Sequence, residues 1–131
     1  MTLYVCVDDK LGMAFMGRRQ SRDRAVYEDI ALRCGDAPLY MDARSQALFL
    51  QTSVVPSSDA HGCEHLFLEF CSPAPFMDGV DTIVLYRWNR RYPADLYFDV
   101  SLEGFTYLEG MDFKGTSHET ITREVYTREQ P

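Results

Sequence analysis

Hydrophobic and polar positions follow two rhythms along this chain. Residues 2–8, TLYVCVD, form a nearly unbroken apolar run, as in a strand buried on both faces of a largely parallel sheet. Residues 9–20, DKLGMAFMGRRQ, interrupt it and read as a loop in which Gly12 and Gly17 permit unusual backbone angles. Residues 21–35 carry the helical rhythm: Ser21 suits an N-cap, Val26 and Ile30 share a face, and Gly35 ends the segment. PLYM (38–41) predicts a short strand, Asp42 a cap for a short helix over 43–50, and TSVV (52–55) a third strand. HLFLEFC (65–71) is strand-like, although a helix also fits it, and Ser72 with Pro73 suits the start of a brief helical turn. DTIVLY (81–86) is the clearest buried strand. Residues 95–102 and 104–110 follow as strand candidates, and Ile121, Arg123, Val125 and Thr127 alternate with polar neighbours as in a half-exposed strand. Strands interleaved with helices, then strands joined by short turns, predict an α/β fold with an antiparallel end.

Length and composition narrow this picture. A chain of 131 residues predicts a single domain over 1–131, and 46% hydrophobic against 25% charged residues is ordinary for a globular protein. The formal charge of −7 argues against general binding to nucleic acid, whose affinity rests on neutralising phosphates. No basic and apolar leader opens the sequence, and no apolar run approaches the length of a membrane span. The four cysteines have no CxxC spacing, and Cys6 and Cys71, which fall in apolar runs, read as buried free thiols of a cytoplasmic protein.

Against this acidic background seven of the thirteen basic residues fall in two short segments: Arg18, Arg19, Arg22 and Arg24, and then Arg87, Arg90 and Arg91 around the single tryptophan, Trp88. Both segments follow predicted strands. Were those strand ends to face one cleft, the guanidinium groups would make a pocket for a carboxylate or phosphate, with Trp88 available to stack on a planar ring. The competing expectation pairs these arginines with the chain's own acids, among them Asp8, Asp9, Asp23, Asp95 and Asp99, and packs Trp88 in the core. HGCEH places His61, Cys63 and His65 at alternate positions, but no second ligand pair follows, and no metal site is expected. No phosphate-loop motif is present in GMAFMG.

Taken in order, the segments resemble dihydrofolate reductase. The resemblance rests on VDDKLGM after the first strand, DRAVYED in the first helix, LYMDARSQALF, and the closing PADLYFDVSLEGFTYL and TSHETITREVYTR, with the Glu103–Gly104 turn between. It implies a mixed, mostly parallel sheet flanked by helices with antiparallel C-terminal strands, and a cleft at the strand ends where a folate-type substrate meets NADPH. It also implies that Asp23 delivers a proton and that Tyr27 lines the substrate pocket. In the reductases a strand taken as equivalent to TIVLY leads into glycines and a helix, where bare amides approach the cofactor diphosphate. Here Tyr86, Arg87 and Trp88 follow that strand. Arg44 and Ser45 only weakly echo the residues that grip the cofactor's 2′-phosphate.

The expectation is therefore a small-molecule binding protein or divergent enzyme whose usual NADPH site is lost. Its anionic or planar ligand would lie in a cleft lined by Tyr27, Arg18, Arg19, Arg22, Arg87, Trp88, Arg90 and Arg91. The alternatives are a divergent reductase that uses NAD(P)H in an altered pose with Asp23 as acid, and an interaction module that docks an acidic partner on the arginines.

Overall fold

The apolar runs become the centre of a twisted sheet in the computed structural model, which describes residues 1–129. The elements are β1 (Thr2–Val7), β2 (Gly12–Phe15), β3 (Arg18–Arg19), α1 (Arg24–Cys34), β4 (Pro38–Tyr40), a 3₁₀ segment (Ala43–Phe49), β5 (Val55–Ser57) and β6 (His65–Phe67). A second 3₁₀ segment (Ala74–Gly79), β7 (Thr82–Arg87), β8 (Leu96–Tyr97), β9 (Phe105–Phe113) and β10 (Ile121–Arg128) complete it. Seven strands form one sheet in the order β5-β4-β6-β1-β7-β10-β9, and β3-β2-β8 form a small second sheet. Strands β5, β4, β6, β1 and β7 are mutually parallel, while β10 and β9 run antiparallel. The α/β architecture with an antiparallel end is as the sequence predicts.

Period-2 alternation divides the core into two layers. Tyr4, Phe67, Val84 and Tyr86 face α1 and pack with its Val26, Tyr27, Ile30, Ala31 and Cys34. Leu3, Val5, Val7, Leu66, Ile83 and Leu85 face the other way, against Met13 and Phe98. Each such aliphatic side chain, fully buried, contributes roughly 1.5–3 kcal/mol. Helix α1 presents buried residues at 26, 27, 30, 31 and 34, the spacing of a single apolar stripe.

Several local expectations change. Asp23, not Ser21, caps α1, accepting from the Ala25 amide, and the Gly35 amide returns to the Ala31 carbonyl at φ 57°. The glycine-bearing loop is a hairpin, β2 turning into β3 through Met16 (φ 52°) and Gly17 (φ 73°), both in the left-handed region that a tight two-residue turn demands. The candidate over 65–71 is a strand, but only through Phe67, so Cys71 lies beyond it and is exposed instead of buried; Cys6 is partly buried. His65 stacks on Tyr4 while Cys63 joins the opposite core layer, so the alternate residues of HGCEH do not converge. Among the described residues no group of three or more His, Cys, Asp or Glu gathers as metal ligands would. No helix among them is long and apolar enough to cross a membrane.

Candidate functional site

Ligands of open α/β sheets bind beyond the carboxyl ends of the strands. In this fold those ends carry charged residues already committed to neighbours. At the end of β1, buried Asp8 accepts from the amides of Gly12 (2.7 Å), Lys10 (2.9 Å) and Tyr92 (3.1 Å) and from Gln20. Burial raises its pKa, yet those amides outweigh burial and hold it below the usual range.

The end of β7 does not match the expected cofactor corner. From β7 the chain runs through a loop into the antiparallel strands, whereas the crossover through a short helical segment leaves β6 and returns as β7. The corner expected after TIVLY therefore lies one connection earlier, at Leu68 to Ser72. Neither glycines nor arginines stand there. Glu69, buried at 9% exposure, receives Arg19 of β3 in a bidentate pair (Nε 3.0 Å, Nη2 2.9 Å) and the Ser45 hydroxyl at 2.6 Å. The Arg44 guanidinium lies 3.9 Å from the centre of the Phe70 ring and is paired with Asp42. Arg44 and Ser45 thus do reach the corner, but each is engaged with the chain itself.

The two arginine groups do not form one pocket. Arg87 shares a face with Leu85, opposite α1, and its Nε donates to Glu124 of β10 at 2.7 Å. Trp88, one residue on, turns back to the α1 face, where it is 3% exposed and lies parallel to the His118 ring at 4.7 Å. It is a core residue, closed to a stacking ligand. Arg90 borders a hollow of about 180 Å³ with Asn89, Glu119 and Thr120, smaller than ordinary ligand sites. Arg91 is exposed, as is Arg18 on β3. The expected Arg/Trp-lined cleft is corrected for a simple reason: successive strand residues point to opposite faces, and a cluster in sequence is divided in space.

What does open is a lateral cleft of about 590 Å³ between α1, the 3₁₀ segment over Ala43–Phe49 and the loop around Thr116. Tyr27 and Leu48 supply apolar lining, and Arg22, Arg24, Gln51, Thr52 and Ser117 supply polar groups. Tyr27 packs edge-on against Phe49 at 5.3 Å and Phe67 at 6.3 Å. Its buried hydroxyl has no hydrogen-bond partner among the described residues. Arg24 pairs with Glu28 (3.4 Å) along the helix; Arg22 is exposed at the rim.

Asp23 borders the cleft, but its carboxylate is turned inward and fully used. Oδ1 accepts from the amides of Ala25 and Thr116 and the Thr116 hydroxyl. Oδ2 accepts from the amides of Ser117 and His118, the Ser117 hydroxyl and His118 Nδ1. Burial raises the pKa of this carboxyl group. The amide donations from Thr116 and Ser117 and the contact with His118 overcome burial and set it far below the carboxylate range. A group that stays ionised and has every lone pair engaged does not serve as the proton donor expected of it. Its work is to cap α1 and to fasten the segment over Gly115 to His118. Gly115 is required there, since a Cβ would press on Asp23 Oδ2 and lie 2.7 Å from the His118 carbonyl oxygen.

Sequence reasoning missed Glu69, His118, Leu48 and Gln51. Glu69 sat in view as the one carboxylate inside an apolar run; nothing in the local pattern tied His118 to a residue 95 positions away.

No protein-family model matches this chain, and no curated protein does. The sheet order, the parallel crossovers and the antiparallel C-terminal strands together define a dihydrofolate reductase-like fold. A solved structure with that fold is dihydrofolate reductase from Enterococcus faecalis, complexed with NADP(H) and RAB-propyl. It superposes with a TM-score of 0.63 over 98% of this chain and 96% of that one, at 8% sequence identity.

Proposed function

We propose that this protein binds a small planar molecule bearing a carboxylate or phosphate in the cleft between α1 and the Ala43–Phe49 segment, and does so without NADPH in the pose used by the reductases. The observation that carries the reading is the cleft itself: about 590 Å³, with Tyr27 and Leu48 to cover a ring and Arg22 at the rim for the anion. The unpartnered Tyr27 hydroxyl adds a polar group for a ligand to satisfy. The loss of the cofactor is supported by the β6 corner. A diphosphate laid there would meet the carboxylate of Glu69 and the bulk of Phe70 in place of bare amides, so the residues present do not fit that group. A reductase reaction draws support from the fold alone, and an arginine docking patch is opposed by the pairing and partial burial of Arg19 and Arg87.

Folate, a planar ring with two carboxylates, serves as the probe. At a hundred times its dissociation constant it raises stability by about 2.7 kcal/mol, a melting shift on the order of 10 °C at this chain length. Arg22→Glu should remove most of that shift, and NADPH should produce none. Absence of any shift or titration heat with folate at millimolar concentration would refute the reading, and NADPH oxidation coupled to dihydrofolate would replace it with the reductase.

A further inference from the structure

At the edge of the cleft, where Asp23 borders it, Ser21 and His118 stand beyond the lining and line up with that carboxylate. His118 is 4% exposed and places Nδ1 2.9 Å from Asp23 Oδ2. A carboxylate oxygen accepts only, so the imidazole proton resides on Nδ1 and the lone pair of Nε2 points the other way. That lone pair meets the Ser21 hydroxyl at 3.0 Å. Ser21 lies in the loop between β3 and α1 and is partly exposed, whereas Asp23 and the ring of His118 are buried. The outermost member of the chain is thus the one a substrate can reach.

We propose that Ser21, His118 and Asp23 form a nucleophile–base–carboxylate triad that transfers the acyl group of small esters. Ser21 and His118 are the catalytic pair and Asp23 positions the ring. The geometry meets the general requirement for such sites: nucleophile and base within hydrogen-bond reach, and the base oriented by a third group. The orientation is held unusually firmly. Asp23 is fixed by the amides of Ala25, Thr116, Ser117 and His118, and Trp88 lies parallel to the imidazole with ring centres 4.7 Å apart. The face of that indole also favours the imidazolium formed during reaction.

In the acylation step the Ser21 proton passes to Nε2 as Oγ adds to the ester carbonyl carbon. The tetrahedral oxyanion then collapses and expels the alkoxide or aryloxide, which takes the proton from Nε2. Water attacks the acyl-serine by the same route, so ester and water give acid and alcohol. Tyr92 supplies a donor for the oxyanion: its hydroxyl lies 3.3 Å from Ser21 Oγ and 3.1 Å from Nε2, and swings from the ring nitrogen to the developing charge.

The test uses p-nitrophenyl acetate as substrate and a fluorophosphonate as covalent probe, on the whole chain. The expected result is one phosphonyl group per molecule, mapped to the Ser21 peptide by mass spectrometry, and an acetylated Ser21 intermediate. Ser21→Ala should lose the label and at least about 100-fold of the esterase rate while keeping the parent circular dichroism. Tyr92→Phe should still take the label but turn over about tenfold or more slowly, with KM little changed. A folded protein that takes no label, a label on Tyr92 or elsewhere, or an undiminished rate in Ser21→Ala would overturn the assignment. The three groups would then serve only to satisfy a buried imidazole.

Discussion

Replacing Asp23 by alanine removes the acceptor for seven donations at once, and the structure sets the scale of the loss. The lost helix cap costs about 1 kcal/mol. The amides of Thr116, Ser117 and His118 and the His118 ring proton are then left without the acceptor they share, a side chain that is itself only 1% exposed. At roughly 1–3 kcal/mol for each stranded buried donor, partly relieved by water entering the hole, the total comes to about 4 kcal/mol. Urea denaturation followed by circular dichroism measures it; with a slope near 2 kcal/mol per molar the midpoint should fall by about 2 M. Asp23→Asn should cost nearly as much, because its amide group turns a donor toward donors. The acid limb carries the sign. A carboxyl group whose folded pKa lies below its unfolded value stabilises fully above the unfolded pKa, and that stability drains away as the pH falls toward the folded one. The parent should therefore lose stability steeply below about pH 4, and Asp23→Asn should show a flatter acid limb. A loss under about 1 kcal/mol in both variants would refute this account and restore the idea of a carboxylate reserved for chemistry, since such groups are often neutral or stabilising to replace.

Other perturbations follow the same logic. Gly115→Ala should cost about 1–3 kcal/mol in the same denaturation assay, because the added methyl meets Asp23 Oδ2 and the His118 carbonyl, neither of which can yield. Arg19→Ala should cost about 3 kcal/mol by leaving the buried Glu69 carboxylate unpaired, while Arg19→Met combined with Glu69→Leu should recover most of the melting temperature; equal losses in both would sink the argument. Tyr27→Phe should leave stability unchanged or raise it by up to about 1 kcal/mol, since the hydroxyl is buried without a partner, yet weaken folate measurably by calorimetry.

The fold was legible in the sequence because its central elements carry undiluted patterns. The runs TLYVCV and TIVLY are buried on both sides and contain little else, and the stripe of α1 is complete. The hairpin of β2 and β3 was hidden because its turn uses Met16 in the left-handed region, where glycine or asparagine would have announced it. The cofactor corner was assigned one connection too late for a deeper reason. HLFLEF and TIVLY are equally good buried strands, and periodicity carries no information about which of two neighbours of β1 precedes the helical crossover. The division of the arginine cluster was available in principle. Tyr86 and Trp88 must share a face that Arg87 cannot, and that alone placed Arg87 away from α1.

The three central strands end in a common way that explains why the free volume lies where it does. Asp8 after β1 gathers the amides of two loops, Glu69 after β6 gathers Arg19 and Ser45, and Arg87 closing β7 takes Glu124. Each is a charge at the position where an open sheet ordinarily meets its ligand; Glu69 and Arg87 are paired with opposite charges and Asp8 is held by neutral donors within the chain. An ion bound at the ends of β6 or β7 would have to displace a partly buried pair, and breaking such a pair strands its partner at a cost of several kcal/mol. Among the described residues the interface between α1 and the Ala43–Phe49 segment carries no such pair. Its apolar lining is Tyr27 and Leu48, and the Arg24–Glu28 contact is confined to the exposed helix surface. A ligand entering from the side disrupts nothing, whereas one approaching the strand ends must first break the interactions that close them. The open volume therefore lies beside α1, and the strand ends are filled by the chain's own side chains.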